Sequence, residues 1–237
     1  SGLSLLALAP CYAQADSADD LMHRSTLTGN WGGERQKLAD QGIKLTGDYN
    51  SETFSNLHGG IKHGTRYSQQ VRIGAQFDLS KLLDTPNAGR VQITLNDRRG
   101  HSASEDLVGN RLPVQENYGG MYTRLSEFSY DNTLFSPAVN AKVGFLPMGN
   151  DFGGMPLLTN FVNAGFCAHP LTMSNGSGWT NYPTGHWGGE LRYTVSPELT
   201  LQTALFQVNP EYNSRSSEAF TMTTKGTTGA IMPLEAI

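Results

Sequence analysis

Five aromatic residues, Phe161, Phe166, Trp179, Tyr182 and Trp187, fall in or beside one long connection of this 237-residue chain. An aromatic ring offers a large, rigid apolar face to the CH face of a sugar ring, and neighbouring Asn, Glu and Arg side chains can meet sugar hydroxyls. The same set also reads as loop packing, or as the interfacial girdle of a membrane barrel. Glu116, Glu127 and Glu190 are the carboxylates from which a glycosidase pair would be drawn, although spacing does not set their separation. Histidines 23, 58, 63, 101, 169 and 186 are scattered without metal-ligand spacing and read as loop-surface residues. No Walker A segment, dinucleotide-binding glycine pattern or nucleophile elbow is present in the sequence.

The elements that must position these groups are strands. Residues 43–52, 70–79, 91–98 and 187–195 alternate apolar and polar side chains, and alternate residues of a strand point to opposite faces. Ile43, Leu45 and Tyr49 therefore share one face, and Lys44, Asp48, Asn50 and Glu52 the other. In the third segment Val91, Ile93 and Leu95 oppose Gln92, Thr94, Asn96 and Arg98. If that strand crosses a membrane, Arg98 faces the interior, because arginine on the lipid side costs about 2–4 kcal/mol at midplane. An inward arginine opposite a carboxylate sets the selectivity of a polar pore, although it also serves as a plain ion-pair partner.

Strands are expected at 43–56, 67–79, 90–98, 121–134, 139–147, 186–196 and 199–208, with the opening of an eighth near 231. Asn30 is expected to cap a short helix over 31–41 that Gly42 ends. Residues 99–120 read as a long polar loop, and 148–184 as a loop whose length marks it as functional. Ahead of these lies Gly2–Ala9, an apolar run, followed by the small-x-small site Ala13-Gln14-Ala15, which reads as the tail of a signal peptide at 1–15. Residues 16–42 then form an amino-terminal segment with the short helix, and 43–237 the strand-rich body. Cleavage after Ala15 leaves Cys167 as the only thiol, with no internal partner. A net charge of −4 and the absence of a basic cluster beyond Arg98-Arg99 exclude nucleic acid as a partner. No apolar run is long enough for a membrane helix, which does not exclude a barrel whose strands are only half apolar.

An ordered series of segments resembles the carbohydrate-selective porins of the OprB type. Gly29-Asn30-Trp31-Gly32-Gly33-Glu34-Arg35 is similar to that family's amino-terminal signature, and Asn56-Leu57-His58-Gly59-Gly60 to its first turn. Thr94–Gly100, Val114-Gln115-Glu116, Trp179–Pro183 with His186-Trp187, Val208-Asn209-Pro210 and Gly229–Glu235 follow in the family's order. The resemblance implies an all-β fold, an antiparallel transmembrane β-barrel of about 16 strands, of which this chain supplies about seven and the start of an eighth. It also implies an inward-folded loop that narrows the pore, passive diffusion of glucose and related carbohydrates, and a place in the outer membrane of a Gram-negative bacterium. Arg98 and Glu116 match the family's narrowing arginine and glutamate, with Asn96, Trp179, Tyr182 and Trp187 as further substrate-contacting candidates. One departure is Met155-Pro156-Leu157-Leu158, which stands where the family has a cysteine, so no loop disulfide to Cys167 is expected.

The expectation is thus a pore, not an enzyme. It uses no cofactor and no metal, and its partners are carbohydrates and lipid, with homo-oligomers allowed. The rival is an exported soluble lectin or glycoside hydrolase on a β-sandwich. The outward face separates the two. A sandwich buries Ile43, Leu45 and Tyr49 in a core, whereas a barrel exposes them to detergent.

Overall fold

The computed structural model describes residues 23–163, 178–213 and 220–237. The 1–15 segment, Phe166 and Cys167 lie outside the described residues. A 3-10 turn at Trp31–Gly33 leads into helix α1, Glu34–Asp40. Asn30 caps this helix from a distance, because the turn intervenes and its Oδ1 accepts from Gln36 N at 3.0 Å. Gly42, at φ 96°, ends it.

The body is one antiparallel meander: β1 (Ile43–Asn56), β2 (Gly64–Asp78), β3 (Arg90–Gly100), β4 (Tyr122–Thr133), β5 (Val139–Leu146), β6 (His186–Ser196) and β7 (Leu199–Val208). Each strand pairs with the next. β2 begins three residues before its sequence-based start, and β1, β6 and β7 match theirs. The expected eighth strand is split into β8 (Gly229–Ile231) and β9 (Leu234–Ala236), both on β7. Pro233 lies in the break, where a proline cannot donate to the ladder.

The connections alternate in length. One end of the sheet carries the links at residues 79–89, 134–138 and 197–198, together with α1, whose Ala39 carbonyl accepts from Lys81 Nζ and whose Gly42 carbonyl accepts from Asp78 N. The other end carries the links at residues 57–63, 101–121, 147–185 and 209–228.

The two faces are inverted relative to a soluble protein. Ile43, Phe77, Val91, Tyr130, Val143, Gly189 and Leu205 form one continuous register row across seven strands. Much of this outward face is open: Ile73 is 62% exposed, and Tyr49 and Leu205 are each 58% exposed, while Leu125 and Phe145 are covered by Tyr212 and Met222. The buried side is polar, with Asn96 at 0% and Arg98 at 5% exposure. On β3 the outward face changes from Ile93 and Leu95 to Asp97 and Arg99, which pair at 2.7 Å, so the apolar band ends there.

A bulge keeps β4 in phase. The β3–β4 register shifts between Thr94 and Leu95, leaving Ser126 as the extra residue. Without it, Arg124 and Glu127, three positions apart, would point to opposite faces. With it, both face inward and are buried. Ser126 Oγ donates to the Thr94 carbonyl at 3.1 Å, which closes the irregularity.

No helix among the described residues is long and apolar enough to cross a membrane. The exposed apolar face is instead built by strands. Ile73→Arg on that face is expected to destabilise the assembled protein by about 2–4 kcal/mol, whereas inward-facing Thr46→Arg has a far smaller effect. Heat-shifted electrophoretic mobility in detergent measures both.

Candidate functional site

Strand register places the inward arginines on one wall. Asp48, Arg72, Asn96 and Arg124 occupy a single row over β1–β4, and Asn50, Gln70, Arg98 and Tyr122 the adjacent inward row. Arg72 pairs with Asp48 at 2.6 Å. Arg98 Nε donates to Gln70 Oε1 at 2.8 Å. Arg124 lies 4.0 Å over the Tyr122 ring and donates to Thr184 Oγ1 at 2.7 Å. Asn96 Nδ2 donates to the Tyr182 hydroxyl at 3.1 Å, and the Arg72 guanidinium stands 6.0 Å from the same ring. Asn96, Arg98 and Tyr182 are therefore neighbours, as the sequence led one to expect, and Arg72 and Arg124 join them.

The loop at 101–121 folds back against this wall. Its anchor is Gln115, 2% exposed. Gln115 Oε1 accepts from Ala103 N at 2.9 Å, and its Nε2 reaches the Glu52 carbonyl and Ser68 Oγ, each at 3.2 Å. Two residues on, Asn117 N donates to Glu52 Oε2 at 3.2 Å. The π-helical turn Ser104–Val108 is held from the β1–β2 connection: Leu107 O accepts from Ile61 N at 2.8 Å and Lys62 N at 3.1 Å. Arg66 pairs with Asp106 at 2.5 Å, and this hydrogen bond holds the Asp106 carboxyl below its ordinary range.

Glu116 sits where the two long loops meet, its backbone N–H donating to the Val162 carbonyl at 3.1 Å. No ion pair joins it to Arg98. The carboxylate felt by both Arg98 and Glu116 is that of Glu52 on β1. Glu52 was legible only as one of several polar-face residues, because its contact with Asn117 spans 65 positions in the chain. Gly119 completes the approach, since a Cβ there would lie 3.1 Å from the Arg98 guanidinium.

The aromatic candidates separate. Trp179 is enclosed by Leu146, Met148, Phe152, Ala204 and Phe206, an apolar cluster that seats the 147–185 loop against the inner face. Helix α2, Met148–Asp151, continues that seat: Asp151 pairs with Lys142 at 2.8 Å. Trp187 belongs to the outward register row with Phe128 and Phe145, and its Nε1 donates to Met222 O at 2.8 Å. Phe161 is about half exposed. Of the four that are described, Tyr182 is the one that reaches the arginine wall. Of the glycosidase candidates, Glu127 has both oxygens engaged, by Lys142, Ser129 and Gln92. No group of three metal-ligating side chains exists among the described residues.

The wall offers guanidinium and amide donors, carboxylate acceptors and two phenols, a set suited to a hydroxyl-rich neutral solute. Gln115→Ala is expected to free the 101–121 loop, seen as faster proteolysis within it and larger fluctuations in open-channel current. Because Asp106 has a lowered value, its pair with Arg66 is complete above the ordinary carboxylate range and is lost as pH falls through that lowered value. Acid should therefore raise loop proteolysis in the wild type but not in Asp106→Asn.

Residues 62–237 match the family described as "Carbohydrate-selective porin, OprB family". Porin B of Pseudomonas aeruginosa is 32% identical over 220 residues, covering 89% of this chain and 47% of that protein. A structure described as "High pH structure of Pseudomonas putida OprB" superposes with a TM-score of 0.82 at 32% identity, over 90% of this chain and 52% of that one. The corresponding "Low pH structure" gives a TM-score of 0.53 at 26% identity, over 89% of this chain and 54% of that one. The chain thus spans about half the length of these relatives. The order of its motifs, its inverted sheet and these matches together make the chain a member of the OprB family of carbohydrate-selective porins.

Proposed function

We propose that the protein to which this chain belongs mediates passive diffusion of glucose and related neutral carbohydrates across the outer membrane of a Gram-negative bacterium. The observation that carries this reading is the buried arginine–carboxylate wall under an inward-folded loop, on the face opposite an exposed apolar band. In this reading residues 1–15 are export signal, 16–42 lie on the periplasmic side, and 43–237 are the first part of the barrel. The 101–121 and 147–185 loops together narrow the lumen.

Arg98 with Glu52 and Glu116 forms the narrow part. A guanidinium near carboxylates presents donors and acceptors together, and their opposite charges partly offset, which suits a polyol. Asn96 and Tyr182 extend the same surface. Tyr182 supplies the aromatic contact with the sugar ring. Trp179 acts by seating the loop, and Trp187 by packing at the outer face. Binding at each group stays weak, since a tightly held sugar would not leave. A soluble lectin or hydrolase gains no support from a sheet whose apolar face is largely uncovered.

Arg98→Ala is the direct test. Full-length protein in planar bilayers should show higher conductance and a reversal potential shifted toward cations under a salt gradient. The glucose concentration for half-block should rise about tenfold, the loss of one charge-assisted hydrogen bond. If conductance, reversal potential and block all stay the same, Arg98 is not at the narrow part. Tyr182→Ala is expected to weaken block with little change in ion selectivity, whereas Trp187→Ala leaves block unaltered.

A further inference from the structure

The inner face carries a second polar recess, at the end of the sheet with short connections. Asp78, Arg90, Asp131, Lys142 and Glu190 occupy one register row across β2–β6 and alternate in sign. Above and beside this row is a recess of about 160 Å³, whose walls include Gln76, Asn140, Glu190 and Arg192. Arg90 and Arg98 lie at opposite ends of β3, about 26 Å apart along the strand at roughly 3.3 Å per residue. A monosaccharide cannot bridge that distance, so the recess is separate from the Arg98 group.

Much of the hydrogen-bonding capacity here is already used. Arg90 grips Asp131 with two nitrogens at 2.7–3.2 Å. Lys142 holds Glu127 at 3.0 Å and Asp151 at 2.8 Å. What remains is specific. Arg192 uses Nε toward Gln202 Oε1 at 3.0 Å, and its terminal nitrogens have no partner. The Gln76 amide is uncommitted, and Asn140 uses only its Nδ2, toward the Asn132 carbonyl at 3.1 Å. Glu190 lines the recess with its Oε1 unpartnered, while it shares a side-chain hydrogen bond with Asp151 and Lys142 is turned to the other two carboxylates. The spare groups are thus donors from Arg192, one acceptor oxygen of Glu190 and amides of both kinds. Cationic side chains, Arg90, Lys142 and Arg192, and carboxyl groups, Asp131, Asp151 and Glu190, line the recess together. A hydroxyl both donates and accepts, so a neutral polyol is the class of solute that satisfies all of these at once.

We propose that this recess is a second carbohydrate station, which receives the sugar on the short-connection side after it passes the Arg98 group. The proposal rests on the reading of the protein as a sugar porin. It also gives the channel two sites in series, so that a sugar leaving the first is held again before release, by residues that are not already committed to structure.

The test uses full-length protein in planar bilayers, with D-glucose added to one side at a time. Arg192→Gln and Glu190→Gln are expected to raise the half-blocking concentration about fivefold for glucose added at the short-connection side, one net hydrogen bond each. Block from the long-loop side should change less than twofold. Gln76→Ala breaks no ion pair and serves if a charge-changing variant does not assemble, with a smaller shift in the same direction. No glucose block of the wild type from either side overturns both readings. Block in the wild type that all three variants leave unchanged from both sides overturns the second station alone. The same holds if the variants alter ion selectivity only, because the row then acts on ions and not on sugar.

Discussion

A strand exposed to hydrocarbon on one side and to water on the other must keep its two-residue period without error. A slip of one residue exchanges the faces for its whole length. The rest of this structure follows from that constraint. Seven strands hold one apolar row in register, and the inward arginines line up because the outward residues do. Where β4 falls out of phase, Ser126 is bulged and the phase is restored within one residue. The arginine wall is the other side of the same arithmetic.

This explains what could be read from the sequence. Strand positions and the inward direction of Asn96 and Arg98 follow from alternation alone, which is local. The capping of α1 by Asn30 was legible in kind, but not in its reach over the Trp31–Gly33 turn to Gln36. The split of the eighth strand was in principle visible in Pro233. Arg124 was hidden by the bulge, since parity counted from Glu127 or Ser129 turns it outward. Glu52 and Gln115 were hidden by distance along the chain, because their value lies in a contact between β1 and the 101–121 loop.

The two inward loops are held by different physics. The 147–185 loop is seated by apolar packing around Phe152, Trp179 and Phe206, with the Asp151–Lys142 pair beside it. Apolar packing weakens little with salt or pH. The 101–121 loop is held mainly by hydrogen bonds and one ion pair, from Gln115, Asn117, Leu107 and Asp106. Each of the hydrogen bonds of Gln115, Asn117 and Leu107 is worth about 1 kcal/mol. The described ends of the first loop are therefore a fixed part of the wall. The second is the adjustable part, and it is the one that carries Glu116. The two candidate tryptophans of the sequence reading divide along the same line, with Trp179 in the fixed seat and Trp187 on the far side of the sheet.

The Gln115–Glu52 contact also fixes an order of assembly. Its partners are 63 residues apart, and between them lie β2, β3 and the hairpin that joins them. Closing a loop of that length is entropically unfavourable until the intervening strands have paired and brought its ends together. The 101–121 segment therefore docks after β1, β2 and β3 are in place. Until it does, the polar inner face of these strands stays in contact with water. Burial of Arg98 is thus deferred until its surroundings are complete.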